Sequence, residues 1–224
     1  MQIIPPVRVK VSCVRTPEEA RRAESFGAAA IGVASRLPFD PEGLSDERIA
    51  AIAAAVGEDT GTFLLTDLED PDAIAAQAIR CGVNTVQLWS ALPRDAYVEL
   101  RRAAPELAIA QTIHVVDEGA IDTARELAGV ADALVLGSTN PDPPFRWNAP
   151  HGRTHDWEIS RRIAEAAMIP VILSGGLTHR NVADAIRHVR PYGVEVCSGV
   201  RSGGALDTHL LVQFLETLGR VKPS

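Results

Sequence analysis

The chain has no apolar run approaching the roughly 20 residues that a membrane-spanning helix needs, so no spanning segment is expected in its 224 residues. It has no basic block either. Acidic residues outnumber basic ones and the formal net charge is −7, whereas a nonspecific nucleic-acid surface depends on clustered Lys and Arg to displace counterions. The expected partner is therefore a small molecule, with neither nucleic acid nor membrane involved. The opening Met1-Gln2-Ile3-Ile4-Pro5-Pro6 lacks the basic start and apolar stretch of a signal peptide, which points to the cytoplasm. Cysteine is scarce. Cys13, Cys81 and Cys197 are an odd number at wide spacings, which argues against a disulfide framework and against a zinc cluster. Each is read alone, and Cys81, before Gly82 at the end of a helical pattern, reads as a buried apolar thiol.

What is present is an alternation. A hydrophobic fraction of 46% with 23% charged residues suits one ordinary globular domain. Short aliphatic runs at 7–14, 29–34, 61–65, 85–88, 108–114, 133–136, 171–174 and 193–197 alternate with longer stretches of helical period, the pattern of a parallel sheet with crossover helices. Thr16-Pro17-Glu18-Glu19 opens the first helix with a cap, a proline and acids, and Gly27 closes it. Similar openings recur at Ser45, Asp70 and Thr178. Apolar stripes such as Ile74, Ala78 and Ile79 would face the sheet. An open doubly wound sheet shares this local pattern, but eight units in this length favour a closed (β/α)8 TIM barrel, class α/β, as a single domain over 1–224. One connection, 138–155, is long and rich in Pro, Asn and His, and sits where barrels place functional loops.

After the seventh strand stands Ser174-Gly175-Gly176-Leu177-Thr178, and after the eighth Cys197-Ser198-Gly199-Val200. Paired glycines let the backbone approach a ligand, and exposed N–H groups at a helix start favour an anion. Turns also use glycine for steric reasons alone, yet two such loops in the last two units form the usual phosphate cradle of a barrel. Gly175, Gly176, Ser198 and Gly199 are thus the phosphate-binding candidates, for a phosphorylated small-molecule ligand.

The segments Ile172 through Val182 and Gly193 through Val200, with Lys10-Val11, Gln87-Leu88, Asp156-Trp157, Asp207 and Phe214, resemble the phosphoribosylanthranilate isomerase family over almost the whole chain. The resemblance implies a barrel, no metal or organic cofactor, and an Amadori rearrangement of an aminoaldose phosphate in tryptophan biosynthesis. It also implies a general base on the first strand, where the family has Lys-Ile-Cys-Gly and this chain has Lys10-Val11-Ser12-Cys13. Ser12 takes the place of the base, and a serine hydroxyl is too weak for that task without a partner. Cys13 faces the other side of a regular strand unless a bulge returns it. The family's acid, in Leu-Leu-Asp-Ser, falls on Gly137, which has no proton to give.

Other positions carry two readings. Arg36 resembles the family arginine that meets a substrate carboxylate, and is otherwise a surface residue. His114, at the end of the fifth strand, is a replacement acid or base, or a hydrogen-bonded strand end. Asp156 is a proton donor or a helix N-cap. Asp142, His151 and His155 lie in or beside the long loop, and the four-residue spacing of the histidines is too weak a signal to predict a metal. Gln87 and Trp89 line the expected substrate pocket, Trp89 replacing a polar family residue as an aromatic wall or packing under a loop. Three functions remain open: the family isomerase, another reaction on a phosphorylated compound, or phosphate-ligand binding without turnover. A homodimer is possible in each case.

Overall fold

Aliphatic runs buried on both faces become parallel strands, each covered by the helix that follows it. In the computed structural model, which describes residues 7–35, 37, 43–138 and 155–219, β1 (Arg8–Val11), β2 (Ala30–Ala34), β3 (Gly61–Thr66), β4 (Thr85–Leu88), β5 (Ala108–His114), β6 (Ala133–Gly137), β7 (Val171–Leu173) and β8 (Gly193–Val196) pair in chain order. β8 returns to β1, with Lys10 opposite Glu195, and the sheet closes into a barrel. The open-sheet alternative is excluded. Outside lie α1 (Pro17–Ser25), α2 (Asp46–Ala53), α3 (Pro71–Cys81), α4 (Arg94–Ala103), α5 (Gly119–Leu127), α6 (Trp157–Ala166), α7 (Val182–Val189) and α8 (Thr208–Gly219). No helix among the described residues is long and apolar enough to cross a membrane.

The helices start where side chains can take the first-turn N–H groups. Thr16 accepts from the Glu19 N–H at 3.2 Å and Asp70 from that of Ala73 at 2.9 Å, caps worth about 1 kcal/mol each. The apolar stripes then bury Ile74, Ala78 and Cys81 of α3 between helices and strands. Ile79 departs from the expected stripe at 66% exposed, because one residue beyond Ala78 turns the helix by about 100°.

The lumen holds a polar layer. Lys10 of β1 crosses it to the Gln87 side-chain oxygen and pairs with the Glu195 carboxylate at 2.9 Å, its ammonium 4.5 Å from the Phe63 ring centroid. Gly32 makes room: a Cβ there would come within 2.5 Å of Ser12 Oγ and 3.0 Å of Lys10 Cε. Burial drives the Lys10 ammonium below its ordinary pKa, with Glu195 opposing.

Two boundaries differ from expectation. β1 stops at Val11 instead of running to residue 14, because Cys13 takes φ +63° and turns the chain. α7 begins at Val182, not at Thr178. Asn181 accepts the Thr178 N–H at 2.8 Å and donates to the Gly176 carbonyl at 2.9 Å, which holds the residues after β7 as a loop.

Candidate functional site

The loops after β7 and β8 are in contact. Gly199, in the short 3-10 turn Ser198–Val200, lies so close to the backbone carbonyl of Leu177 that no Cβ would fit. Gly175 is packed against Ser138 after β6 in the same way. Gly175 at φ +92° and Gly176 at φ +61° occupy backbone regions that L side chains rarely adopt. Among the described residues, no backbone bond uses the N–H groups of Gly175, Gly176, Ser198 or Gly199. Four donors on two touching loops can take an anion. Because α7 starts late, the donors belong to the loops and the short turn rather than to a long helix.

At the end of β1, Ser12 is 4% exposed and its hydroxyl has no hydrogen-bond partner among the described residues, while its N–H donates to the Val196 carbonyl at 2.8 Å. Cys13 reaches Cys197 across the β1/β8 seam and the two form a disulfide, their Cα atoms 5.6 Å apart. The expectation that each cysteine stands alone is therefore corrected for this pair. A separation of 184 residues is wide in sequence, but closure of the barrel makes first and last strands neighbours, and the left-handed turn at Cys13 swings its side chain onto the seam. In this state neither sulfur can act as a base, so Cys13 has no free thiolate for the role considered above. Cys81 remains the free cysteine, buried, its thiol pushed up to about 12 by burial.

Across the lumen, β5 places His114 in register with Gly137 of β6. The imidazole thus stands one strand from the position that lacks an acid. Its Nε2 donates to the Trp89 carbonyl at 3.2 Å, and the two rings meet edge to face with centroids 4.6 Å apart. Trp89 is 7% exposed and clusters with Ala34, Leu37 and Leu65, so the aromatic forms an apolar wall between β2 and β5. Gln87 lies deeper, receiving Lys10 and donating to Thr112 at 3.2 Å.

Arg36, Asp142 and His151 fall outside the described residues. Asp156 is exposed and accepts the Glu158 N–H at 2.8 Å as the cap of α6. His155 beside it has no partner for either ring nitrogen among the described residues, and burial lowers its pKa to about 4 against the pull of Asp156. Sequence reasoning missed Asp67, which follows β3, accepts from Ser90 at 3.3 Å and has its carboxyl pKa raised by burial. Its position directly after a barrel strand was the available signal. It also missed Cys197 as a partner for Cys13. Among the described residues, no group of three or more His, Cys, Asp or Glu is placed to hold a metal ion.

A parallel (β/α)8 barrel with unfilled backbone donors on the loops after its last two strands defines a class, the barrels built to hold a small anionic ligand at their C-terminal ends. Comparison with known proteins narrows it. A sequence model of the N-(5'-phosphoribosyl)anthranilate (PRA) isomerase family matches residues 60–217. The chain is 33% identical over 210 residues to the N-(5'-phosphoribosyl)anthranilate isomerase of Methanocella arvoryzae, covering 93% of this chain and 96% of that one. The structure of phosphoribosyl anthranilate isomerase from Thermococcus kodakaraensis superposes with a TM-score of 0.76 at 27% identity, over 95% of this chain and 98% of the other. A phosphoribosyl anthranilate isomerase in complex with reduced 1-(o-carboxyphenylamino)-1-deoxyribulose 5-phosphate shares the fold at TM-score 0.76 and 24% identity, over 95% and 98% of the chains. The chain belongs to the N-(5'-phosphoribosyl)anthranilate isomerase family.

Proposed function

We propose that this protein isomerises phosphoribosylanthranilate, the Amadori step of tryptophan biosynthesis, in the cytoplasm. The observation that carries the reading is the touching pair of loops at Gly175-Gly176 and Ser198-Gly199, whose open N–H groups suit a sugar phosphate. A related protein solved with a carboxyphenylamino deoxyribulose phosphate supports a ligand of that kind. With the phosphate held there, the sugar lies over the lumen, Gln87 beneath it and Trp89 walling it beside His114. The family resemblance assigns the carboxylate to Arg36, which lies outside the described residues.

The proton shuttle between sugar C1 and C2 needs a base and an acid on opposite sides of the substrate. Ser12 and Gly137 offer neither at neutral pH. His114, in register with Gly137, supplies the acid. A second reading, binding without turnover, is favoured by one observation, the absence of an ionisable side chain at both Ser12 and Gly137.

A fluorescence assay of phosphoribosylanthranilate consumption decides between them, run beside the Ser12→Cys, Gly137→Asp double variant. Turnover by the unmodified protein, reduced about tenfold or more in His114→Gln, supports the isomerase. Stabilisation by the substrate without turnover, with activity appearing only in the double variant, supports the binder.

A further inference from the structure

The isomerase reading leaves the base unassigned, and the disulfide lies beside the position where it is needed. We propose that Cys13 and Cys197 form a thiol–disulfide gate on the site, in which Cys197, once released, is the base and Cys13 is its redox partner. This rests on the isomerase reading above.

Strand period points to Cys197. Glu195 of β8 reaches into the lumen to Lys10, and a residue two further along the strand direction lies on the same side. Cys197 also directly precedes the turn that carries Ser198 and Gly199, so its sulfur borders the phosphate loop. Joined to Cys13, that sulfur has no proton-accepting lone pair of thiolate strength. Released as a thiol it can ionise to a thiolate, the form that accepts a proton, whereas a serine hydroxyl without a partner is too weak a base. The orphaned Ser12 hydroxyl is the neighbouring donor, ready to bond the sulfur or the substrate once the gate opens.

The seam does not need the covalent link to stay closed. Ser12 N–H holds the Val196 carbonyl at 2.8 Å, and Arg8 through Val11 pair in register with Gly193 through Val196. Arg201, just past the phosphate turn, pairs with Glu19 of α1 at 2.9 Å, and the same carboxylate accepts from Leu206 N–H at 2.9 Å and Arg15 N–H at 2.9 Å. Opening the disulfide is therefore a local event. Cys197 is partly exposed, so a small thiol can reach it. The exchange balances: two molecules of a small thiol give two electrons and two protons to the bridge, leaving two protein thiols and one small disulfide. A small-molecule disulfide runs it backwards.

The test measures consumption of phosphoribosylanthranilate by the full chain, pre-equilibrated with dithiothreitol or with oxidised glutathione, with thiols counted by alkylation and mass spectrometry. Reduction is expected to expose Cys13 and Cys197 and raise activity by about tenfold or more. Cys13→Ser is active with or without reductant, and Cys197→Ser is silent in both. Activity that does not rise when both thiols are counted, or a fully active Cys197→Ser, overturns the proposal. If no form consumes the substrate, the isomerase reading falls by itself, and inorganic phosphate decides the gate. A dissociation constant differing about threefold or more between the two redox states keeps the gate without the base, and equal constants remove both.

Discussion

The two ends of the barrel treat polar groups differently. At the N-terminal end the connections are paired: the side-chain oxygens of Thr62 and Asn84 each accept the other residue's backbone N–H at 2.9 Å, Asp132 accepts the Ile109 N–H at 2.8 Å, and Glu24 accepts that of Gly57 at 2.8 Å. The cavity there, about 350 Å³, arises because Ala30, Gly61, Ala108 and Gly193 leave the mouth narrow-walled but unfilled. At the C-terminal end the Ser12 hydroxyl, both His155 nitrogens and the N–H groups of two glycine loops have no partner among the described residues. A buried polar group without a partner costs about 1–3 kcal/mol. Such groups therefore mark an end adapted to something that binds, while the paired end holds the fold. That cavity is not the site: its volume follows small side chains, and chemistry follows the unfilled donors.

The largest effect is expected at the layer between the two ends. Lys10→Met removes the ammonium that pairs the Glu195 carboxylate, itself 7% exposed, and an uncompensated buried charge costs about 3–5 kcal/mol. Urea unfolding should show that loss, and adding Glu195→Gln should recover a large part of it. Equal stability of the single and double variants would mean that the pair does not bind the two ends together. Next comes Gly199→Ala, whose methyl meets the Leu177 carbonyl. Separating the two loops should lower stability by about 2 kcal/mol and abolish the rise in melting temperature given by inorganic phosphate. A variant that keeps the phosphate response would place the anion elsewhere.

The contrast between the ends also governs what the sequence made legible. Strand positions 61–65, 85–88 and 108–114 could be read nearly to the residue, because a strand covered on both faces is a short run dominated by apolar residues. Caps at Thr16, Ser45 and Asp70 were equally plain, since an N-cap is a local bond between neighbours. The site was legible only as far as glycine marks it. That Gly199 rests on Leu177 depends on the packing of two loops, and that Cys13 meets Cys197 depends on barrel closure and on one left-handed residue. Neither leaves a trace in spacing. Thr178 misled because the Asx-type bonds of Asn181 competed with a helix start and won.

A smaller effect is expected from acid. The His155 imidazole, held neutral by burial, takes its proton at about pH 4 in the fold and near 6.5 when unfolded. Between those values the unfolded chain binds more protons, so stability falls as the pH drops from 6.5 and the loss levels off below about 4. Melting at pH 7.5 and pH 5 should show the native protein losing roughly 1 kcal/mol more than His155→Gln, after allowance for partial exposure. Identical losses would mean that the C-terminal end tolerates the charge.

The smallest effect belongs to the paired end. Arg101 and Asp132 form an ion pair at 2.9 Å with both side chains more than 40% exposed, and Asp132 keeps its bond from the Ile109 N–H when the arginine is removed. Arg101→Ala should therefore cost roughly 0.5 kcal/mol and leave phosphate-dependent stabilisation unchanged. Thermal melts with and without inorganic phosphate measure both at once. If the phosphate response of Arg101→Ala shrank as it does in Gly199→Ala, the two ends would be coupled through the barrel, and the division between a holding end and a binding end would fail.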